Sequence, residues 1–458
     1  MTKTVSSTVK NRYRGVPSLR IFIVVGLFTA LGMLYGLTSR AATPYISAEP
    51  EAVAPTGPAV IGSDTAASGG KFVRFGTGGN PGKANTFWLH FNSTPVSNTM
   101  LETEAKRRKV IVLNAWEHQY IPTLKAANPN IVVLVYKDLS STRDYECTNG
   151  VDSALLPTGI GYCFADTYHK DWFLLDSAGK RLAYSGYAGH WQMDVGNVAY
   201  QQQWAANVKT ELTARGWDGV FMDNALVSCD QYHTGVCPAK YTTDVAIQAA
   251  YSAMLKVTYP ALKNAGLKSV ANMSNARLYP GIWNTYLANL DGGFDEWWLT
   301  FDPGNHLAEY GTPSIGWKAQ VDEIAAAEAA GKMAIVQAHT RYTDKPSFYY
   351  GLASYFLASG GNSSYGEIDV ADNYSNPSPW QPAYDWNLGA PVSAYSTIST
   401  HLYRRDFKCG AAIVNANNTV ATTVSLGGTY LNESGASVTS VAMAAKTGTV
   451  LRKPNCSP

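Results

Sequence analysis

The sequence predicts an α/β protein: a (β/α)8 barrel of the TIM type followed by a small antiparallel β-domain, with a hydrophobic segment at the N-terminus. Three observations carry this. Between residues 85 and 370, short apolar runs recur with helical stretches between them, the alternation that builds a parallel sheet. From Leu388 the pattern changes to strand-like pieces separated by Asn and Gly turns, as in an antiparallel sheet. No Gly-rich turn follows the first strand, which weighs against the competing open, doubly wound nucleotide-binding sheet.

At 458 residues the chain has room for more than one domain. An apolar fraction of 46% with 15% charged residues marks it as globular. A formal net charge of +2 argues against a basic nucleic-acid groove. The 12 Trp and 28 Tyr suit sugar-stacking surfaces, although aromatics also fill cores.

Residues 1–42 hold a basic flank (Lys3, Lys10, Arg12, Arg14, Arg20) and an uncharged stretch from Ile21 to Ser39. This reads as a signal peptide, with cleavage after Ala41 or Ala42, or as an uncleaved signal anchor, since the run is close to spanning length. Either places the rest of the chain outside the cytoplasmic membrane, secreted or anchored facing outward. Residues 43–84 form a linker rich in Pro, Gly and Ser, with room for one strand pair. Within it, Ser63–Phe75 resembles the end of a sugar-binding β-sandwich module and is too short to be a whole one.

The barrel is assigned to residues 85–385. Its strands are read at 87–91, 110–115, 131–136, 218–223, 269–273, 293–297, 333–337 and, most weakly, 361–365. The fourth, with Val220 and Met222 buried, is expected at the centre of the sheet. Helices are expected at about 200–214, 242–263, 317–330 and 347–358, the first stopped by Gly216. An insertion of about 80 residues, 138–217, separates strands three and four and carries Met193-Asp194-Val195 and an aromatic-rich stretch. A loop of that length on the active-site face usually serves function. Residues 386–458 form the β-domain. Sequential pairing of the six cysteines, the simplest of fifteen connectivities, gives Cys147–Cys163, Cys229–Cys237 and Cys409–Cys456, and agrees with export.

The C-terminal strand ends of such a barrel face its active site. They carry His90, then Asn114, Trp116, Glu117 and His118, then Lys137 and Asp138, then Asp223 and Asn224, then Asn272. Asp295, Glu296, Trp297 and Trp298 follow on strand six, and Gln337 and His339 on strand seven. Converging on one face, these groups make a polar pocket with aromatic walls. Carboxylates on separate strands are what glycosidic cleavage needs, one as proton donor and one ionised. Lys137, Asn224 and Asn272 could bind hydroxyls or hold a carboxylate ionised. Trp116, Trp297 and Trp298 could offer flat faces to a sugar ring. The set calls for no metal and no cofactor. An esterase elbow of the Gly-x-Ser-x-Gly form, a His-Glu-x-x-His zinc site and a phosphate-binding Gly-rich loop are all missing from the sequence.

VIVLNAWEH (110–118), VLVYKDLSSTRD (133–144), WDGVFMDN (217–224) and GFDEWW (293–298) resemble hypothetical glycosyl hydrolase family 15, and YRRDFKCGAAIVN (403–415) resembles the β-domain of that group. The resemblance implies a glycosidase-like barrel. A wider similarity to α-galactosidase and dextranase barrels implies a nucleophile at Asp223, ending strand four, and an acid/base on strand six. Glu296 is the choice there, with Asp295 the alternative, because neighbouring strand residues point to opposite faces.

The expectation is therefore a monomeric, exported glycoside hydrolase acting on a poly- or oligosaccharide with retention. Asp223 and Glu296 are the catalytic pair. Trp116, Glu117, Lys137, Asp194, Asn224, Asn272, Trp297, Gln337 and His339 are the substrate-binding candidates. A cell-surface carbohydrate-binding protein on a non-catalytic barrel is the alternative, and removal of acyl groups from sugars is a third reading. No nucleic-acid partner is expected, and the N-terminal segment offers a membrane attachment.

Overall fold

The computed structural model describes residues 59–63, 71–75, 79–309, 315–369, 371–372 and 374–458. The chain divides into two compact units, Met1–Phe75 and Gly76–Pro458. In the first, β1 (Ala59–Ser63) pairs antiparallel with β2 (Lys71–Phe75). The hydrophobic segment at residues 21–39 and the expected cleavage positions lie outside the described residues. Among the described residues, no helix is long and apolar enough to cross a membrane.

The second unit contains the predicted barrel. Eight parallel strands run in sequence order: β3 (Phe87–Leu89), β4 (Val110–Leu113), β5 (Val132–Asp138), β10 (Gly219–Asp223), β11 (Lys268–Asn272), β12 (Gly292–Asp295), β13 (Met333–Thr340) and β14 (Ser364–Asp369). The intervening numbers belong to four short strands of the insertion, β6 (Ser141–Arg143), β7 (Cys147–Thr148), β8 (Val151–Asp152) and β9 (His190–Gln192). The amide of Tyr365, on β14, donates to the carbonyl of Asn85 just before β3, bringing the two ends of the sheet together. Five longer helices follow strands: α1 (Asn98–Arg107), α4 (Val198–Arg215), α5 (Asp244–Lys263), α7 (Trp317–Ala329) and α8 (Lys345–Ala358). The shorter α2 (Ile121–Ala127), α3 (Tyr162–Tyr168) and α6 (Ile282–Leu287) complete the set used here.

Local chemistry explains the helix limits. Asn197 accepts from the amides of Ala199 and Tyr200 at the start of α4, and Gly216, at φ 74°, ends it in the left-handed conformation that a Cβ disfavours. Tyr200, Trp204, Val208 and Leu212 form its buried stripe.

Strand parity decides what faces the barrel interior. Phe87, Leu89, Val110, Val112, Leu134, Phe221, Val270, Phe294 and Ile335 form one closed cluster. The residues that alternate with them along the strands, including Val133, Val135, Val220, Met222 and Ala271, join a larger cluster under the helices. Val220 and Met222 are fully buried, as expected of a central strand, and β10 lies between β5 and β11.

Six antiparallel strands form the C-terminal sheet, in the order β15 (Ser396–Ser399), β16 (Leu402–Phe407), β17 (Gly410–Asn415), β20 (Thr447–Arg452), β18 (Thr422–Leu431), β19 (Ser437–Met443). The sheet packs on α8 through β17 and β20. That explains why α8 is buried on nearly every side from Phe348 to Leu357. A Cβ on Gly448 would come within 2.7 Å of the Tyr349 carbonyl, so glycine is what lets β20 approach the helix. Arg405 Nη1 donates to the carbonyls of Phe356 and Ser359 at the C-terminus of α8, at 2.9 and 2.7 Å. The three expected disulfides, Cys147–Cys163, Cys229–Cys237 and Cys409–Cys456, are all present.

Candidate active site

The parity that fills the barrel interior also fills its mouth. Two residues beyond Phe221 on the same face is Asp223. Two beyond Val270 is Asn272, two beyond Phe294 is Glu296, and two beyond Leu134 and then Tyr136 is Asp138. These residues line one cavity of about 300 Å³, together with Phe91, Asn114, Trp116 and Tyr374. The insertion contributes Arg143, Tyr184, Tyr187 and His190, and the loop after β10 contributes Asn224 and Tyr232. Tyr184 stacks on Tyr232 with centroids 4.5 Å apart, joining the two loops. A disulfide closes each loop, Cys147–Cys163 in the insertion and Cys229–Cys237 around Tyr232.

Asn272 links the two central carboxylates. Its Nδ2 donates to Asp223 Oδ1 and to Glu296 Oε2, each at 2.9 Å. Its Oδ1 accepts from the amide and hydroxyl of Ser274, which fixes the amide orientation. Two such bonds to one nitrogen hold the two oxygens no more than about 5.8 Å apart, and about 5 Å apart at the angle of an NH2 group.

Each carboxylate has its own tyrosine. Tyr136 donates to Asp223 Oδ2 at 2.7 Å, and Tyr374 to Glu296 Oε1 at 2.6 Å. The Asn224 amide adds a third donor to Asp223 at 2.9 Å. Burial, then the neighbouring charges of Asp138 and Glu296, push Asp223 up to about 7, against the pull of Tyr136 and Asn272. Burial and the adjacent carboxylates raise both tyrosines well above their ordinary value, which keeps them protonated donors. Asp138 is fully occupied: it accepts from the amides of Ser140 and Ser141, from Ser141 Oγ and from Asn224 Nδ2. Asn224, Tyr232 and Tyr374 all have left-handed backbones, with φ of 60°, 70° and 59°. For a tyrosine that conformation is strained, and strain of this kind concentrates at functional sites.

The family model described as "Hypothetical glycosyl hydrolase family 15" matches residues 125–411, a span that contains every carboxylate of the cavity. The chain belongs to this family. No curated protein matches the sequence. Among solved structures, the glycoside hydrolase domain of PelA from Pseudomonas aeruginosa is similar at 13% identity and TM-score 0.38, covering 64% of this chain and 96% of that one. Aspergillus fumigatus Ega3, in complex with galactosamine, is similar at 13% and 0.38, covering 64% and 92%. An α-amylase from Malbranchea cinnamomea is similar at 8% and 0.44, covering 81% and 96%.

Within this family 15 barrel, Asp223, Glu296, Trp116, Asn224 and Asn272 line the cavity. Lys137 does not. The third strand runs on to Asp138, so Lys137 falls on its outer face, fully buried, with Nζ bonded to both oxygens of Glu211 on α4 and to the Leu156 carbonyl. Glu117 lies behind the wall, holding the Asn114 amide at 2.9 Å and His90 Nδ1 at 2.8 Å. Asp194 is buried in the insertion against Tyr241 and Lys240. Gln337 donates to Tyr374 at 3.0 Å and so reaches Glu296 through that tyrosine. Trp297 stacks on His339, with centroids 3.5 Å apart, outside the cavity lining. Asp295 points away from the cavity, where Gln320 of α7 donates to it at 2.7 Å. Burial raises both Asp295 and its neighbour Glu323.

Sequence reasoning overlooked Tyr136, Arg143, Tyr184, Tyr187, His190, Tyr232 and Tyr374. Parity along the third strand would have flagged Tyr136, two residues after the interior Leu134. Tyr374 and the insertion residues sit on loops whose course no local pattern announces.

Proposed function

We propose that this protein is an exported glycoside hydrolase acting with retention, with Asp223 as nucleophile and Glu296 as acid/base. The observation that carries this reading is Asn272, one amide bonded to both carboxylates. A separation of about 5–5.5 Å lets a carboxylate touch the anomeric carbon, whereas inversion needs roughly 6.5–9.5 Å to admit a water.

In the first step Glu296 gives its proton to the leaving glycosidic oxygen while Asp223 attacks the anomeric carbon, forming a covalent ester as the C–O bond breaks. In the second, water attacks that carbon, Glu296 takes the water's proton, and Asp223 leaves as carboxylate. The pair must begin with one proton between them. Its surroundings favour that state: three donors stabilise Asp223 as an anion, while burial and two nearby carboxylates oppose a second charge in the site. With the proton on Glu296, one of the two repelling charges is gone and Asp223 ionises more readily. Tyr136, Tyr374 and Asn272 orient the carboxylates. Trp116, which is 37% exposed, offers a ring face at the rim.

Export is supported by the three disulfides and by the basic flank and apolar run at the N-terminus. That run serves either as a cleaved signal or as a membrane anchor, with the enzyme acting outside the cell as a monomer. Screening purified protein against a polysaccharide panel tests the reading. Release of reducing ends from at least one polymer, abolished by Asp223→Asn and by Glu296→Gln, is expected. Near-normal turnover by Asp223→Asn would overturn the nucleophile. Saturable binding without turnover by the wild type would favour a binding protein.

A further inference from the structure

At the opposite end of the barrel is a second, larger concavity of about 980 Å³. Lys109, Val132, Lys268 and Met333, at or just before the starts of β4, β5, β11 and β13, help to line it. Seven cationic residues and only two acidic ones, Asp291 and Asp385, line it, Arg108 with its guanidinium buried behind the wall. The whole chain carries a net charge of only +2, so positive charge is concentrated here.

Most of these cations lack a neutralising partner. Arg107 and Arg108 share Glu104. Lys83, Lys106 and Lys268 are exposed, and among the described residues none of them is ion-paired. Lys332 Nζ is bonded to the carbonyls of Leu287 and Ala288. Lys109 Nζ is bonded to the carbonyls of Gly361 and Asn362 at 2.7 and 2.8 Å, and burial, reinforced by the Lys268 charge, lowers it to about 8 although Glu328 opposes the shift. A hollow lined by one sign of charge focuses its field and draws in counter-charge. The same wall holds groups suited to sugars: Asn130, Asn362 and the half-buried Trp380, whose ring lies 5.3 Å from the Arg107 guanidinium.

We propose that this concavity binds an acidic polysaccharide, holding the protein on a carboxylate-bearing glycan by a face separate from the Asp223–Glu296 cavity. A flat membrane surface cannot follow the wall of a concavity, whereas a polymer strand can. The asparagines and Trp380 favour a glycan over a bare polyanion. The proposal does not depend on the reaction at the other end.

Binding of the full chain to polygalacturonate, to neutral dextran and to phosphatidylglycerol vesicles, at low and high salt, tests it. Polygalacturonate should bind and dextran should not, with affinity falling steeply between about 50 and 500 mM salt as the charges are screened. The triple variant Lys83→Glu, Lys106→Glu, Lys268→Glu should lose about tenfold or more in affinity at low salt, in proportion to the charge removed from the hollow. Lys170→Glu, Lys209→Glu, Lys256→Glu, on exposed lysines elsewhere, makes the same change in net charge and should stay within about twofold of the wild type. Asp223→Asn should bind unchanged. Lys268→Glu alone, with a smaller loss in the same direction, serves if the triple variant fails to fold. Absence of polygalacturonate binding, equal losses in both triple variants, or tighter binding to vesicles than to the polymer would overturn the proposal.

Discussion

Replacing Asp223 by Asn should change how stability depends on pH, because the site that suits catalysis is a poor place for a carboxylate. Asp223 rises from 3.8 to about 7. A carboxyl group raised in the folded state stabilises most fully below its unfolded value, near pH 4, and that contribution is lost as pH rises through about 7. At about 1.4 kcal/mol per pH unit the whole effect is about 4 kcal/mol, of which roughly 2.5 kcal/mol falls between pH 5 and pH 8. Asp223 keeps some contact with cavity water, so these figures are ceilings. Asparagine has nearly the same shape and no charge. Its oxygen can still accept from Asn272 and the Asn224 amide, and its NH2 can donate to Tyr136. Urea unfolding with disulfides intact, at pH 5 and pH 8, is the assay. Relative to wild type, Asp223→Asn should gain about 1–2.5 kcal/mol more at pH 8 than at pH 5. A stability difference that is equal at the two pH values would refute the electrostatic account of this site.

Other outcomes follow from individual contacts. Asn272→Ala removes a donor that lowers the Asp223 pKa, so the acid limb of a kcat/KM profile should move to higher pH and kcat should fall about 100-fold or more. Glu296→Gln should cripple hydrolysis of unactivated glycosides; for aryl glycosides whose leaving group needs no proton, kcat/KM should be kept while kcat falls, because the attacking water has lost its base, as a leaving-group series would reveal. Lys137→Met should cost about 2–4 kcal/mol, leaving Glu211 without its buried partner, and should leave KM unchanged, since Lys137 is off the cavity. Arg405→Ala should destabilise by about 2–3 kcal/mol in the same unfolding assay, because two carbonyls at the end of α8 lose their donor, with activity intact below the melting transition.

The barrel was legible because its signals are local and repeat. Phe221 and Met222 lie in a short apolar run between Gly216 and Asp223, and the same grammar of stop, run and polar end recurs at Asn272 and Glu296. Parity requires that only one of Asp295 and Glu296 face the cavity, and that inference needs only adjacent residues. The same rule places Lys137 outside and Tyr136 inside, but the apolar run closes strand three at Tyr136, two residues before its end at Asp138. That misplaced end made Lys137 look like a strand-end group. Tyr374 could not be found this way. It reaches Glu296 from a loop after β14 with a left-handed backbone, and only the folded chain brings positions 296 and 374 together. Asp194 shows the reverse: a carboxylate beside the aromatic stretch of the insertion, which the fold uses to tie down Tyr241 and Lys240.

The central claim is that Asp223 attacks the sugar. With a polymer substrate identified, the matching 2-deoxy-2-fluoro glycosyl fluoride should form a slow-turnover ester, read by mass spectrometry of the digested protein. The adduct is predicted on the peptide carrying Asp223, with hydrolysis of the natural substrate releasing a product of unchanged anomeric configuration. An adduct on a different carboxylate, or an inverted product, would contradict the account.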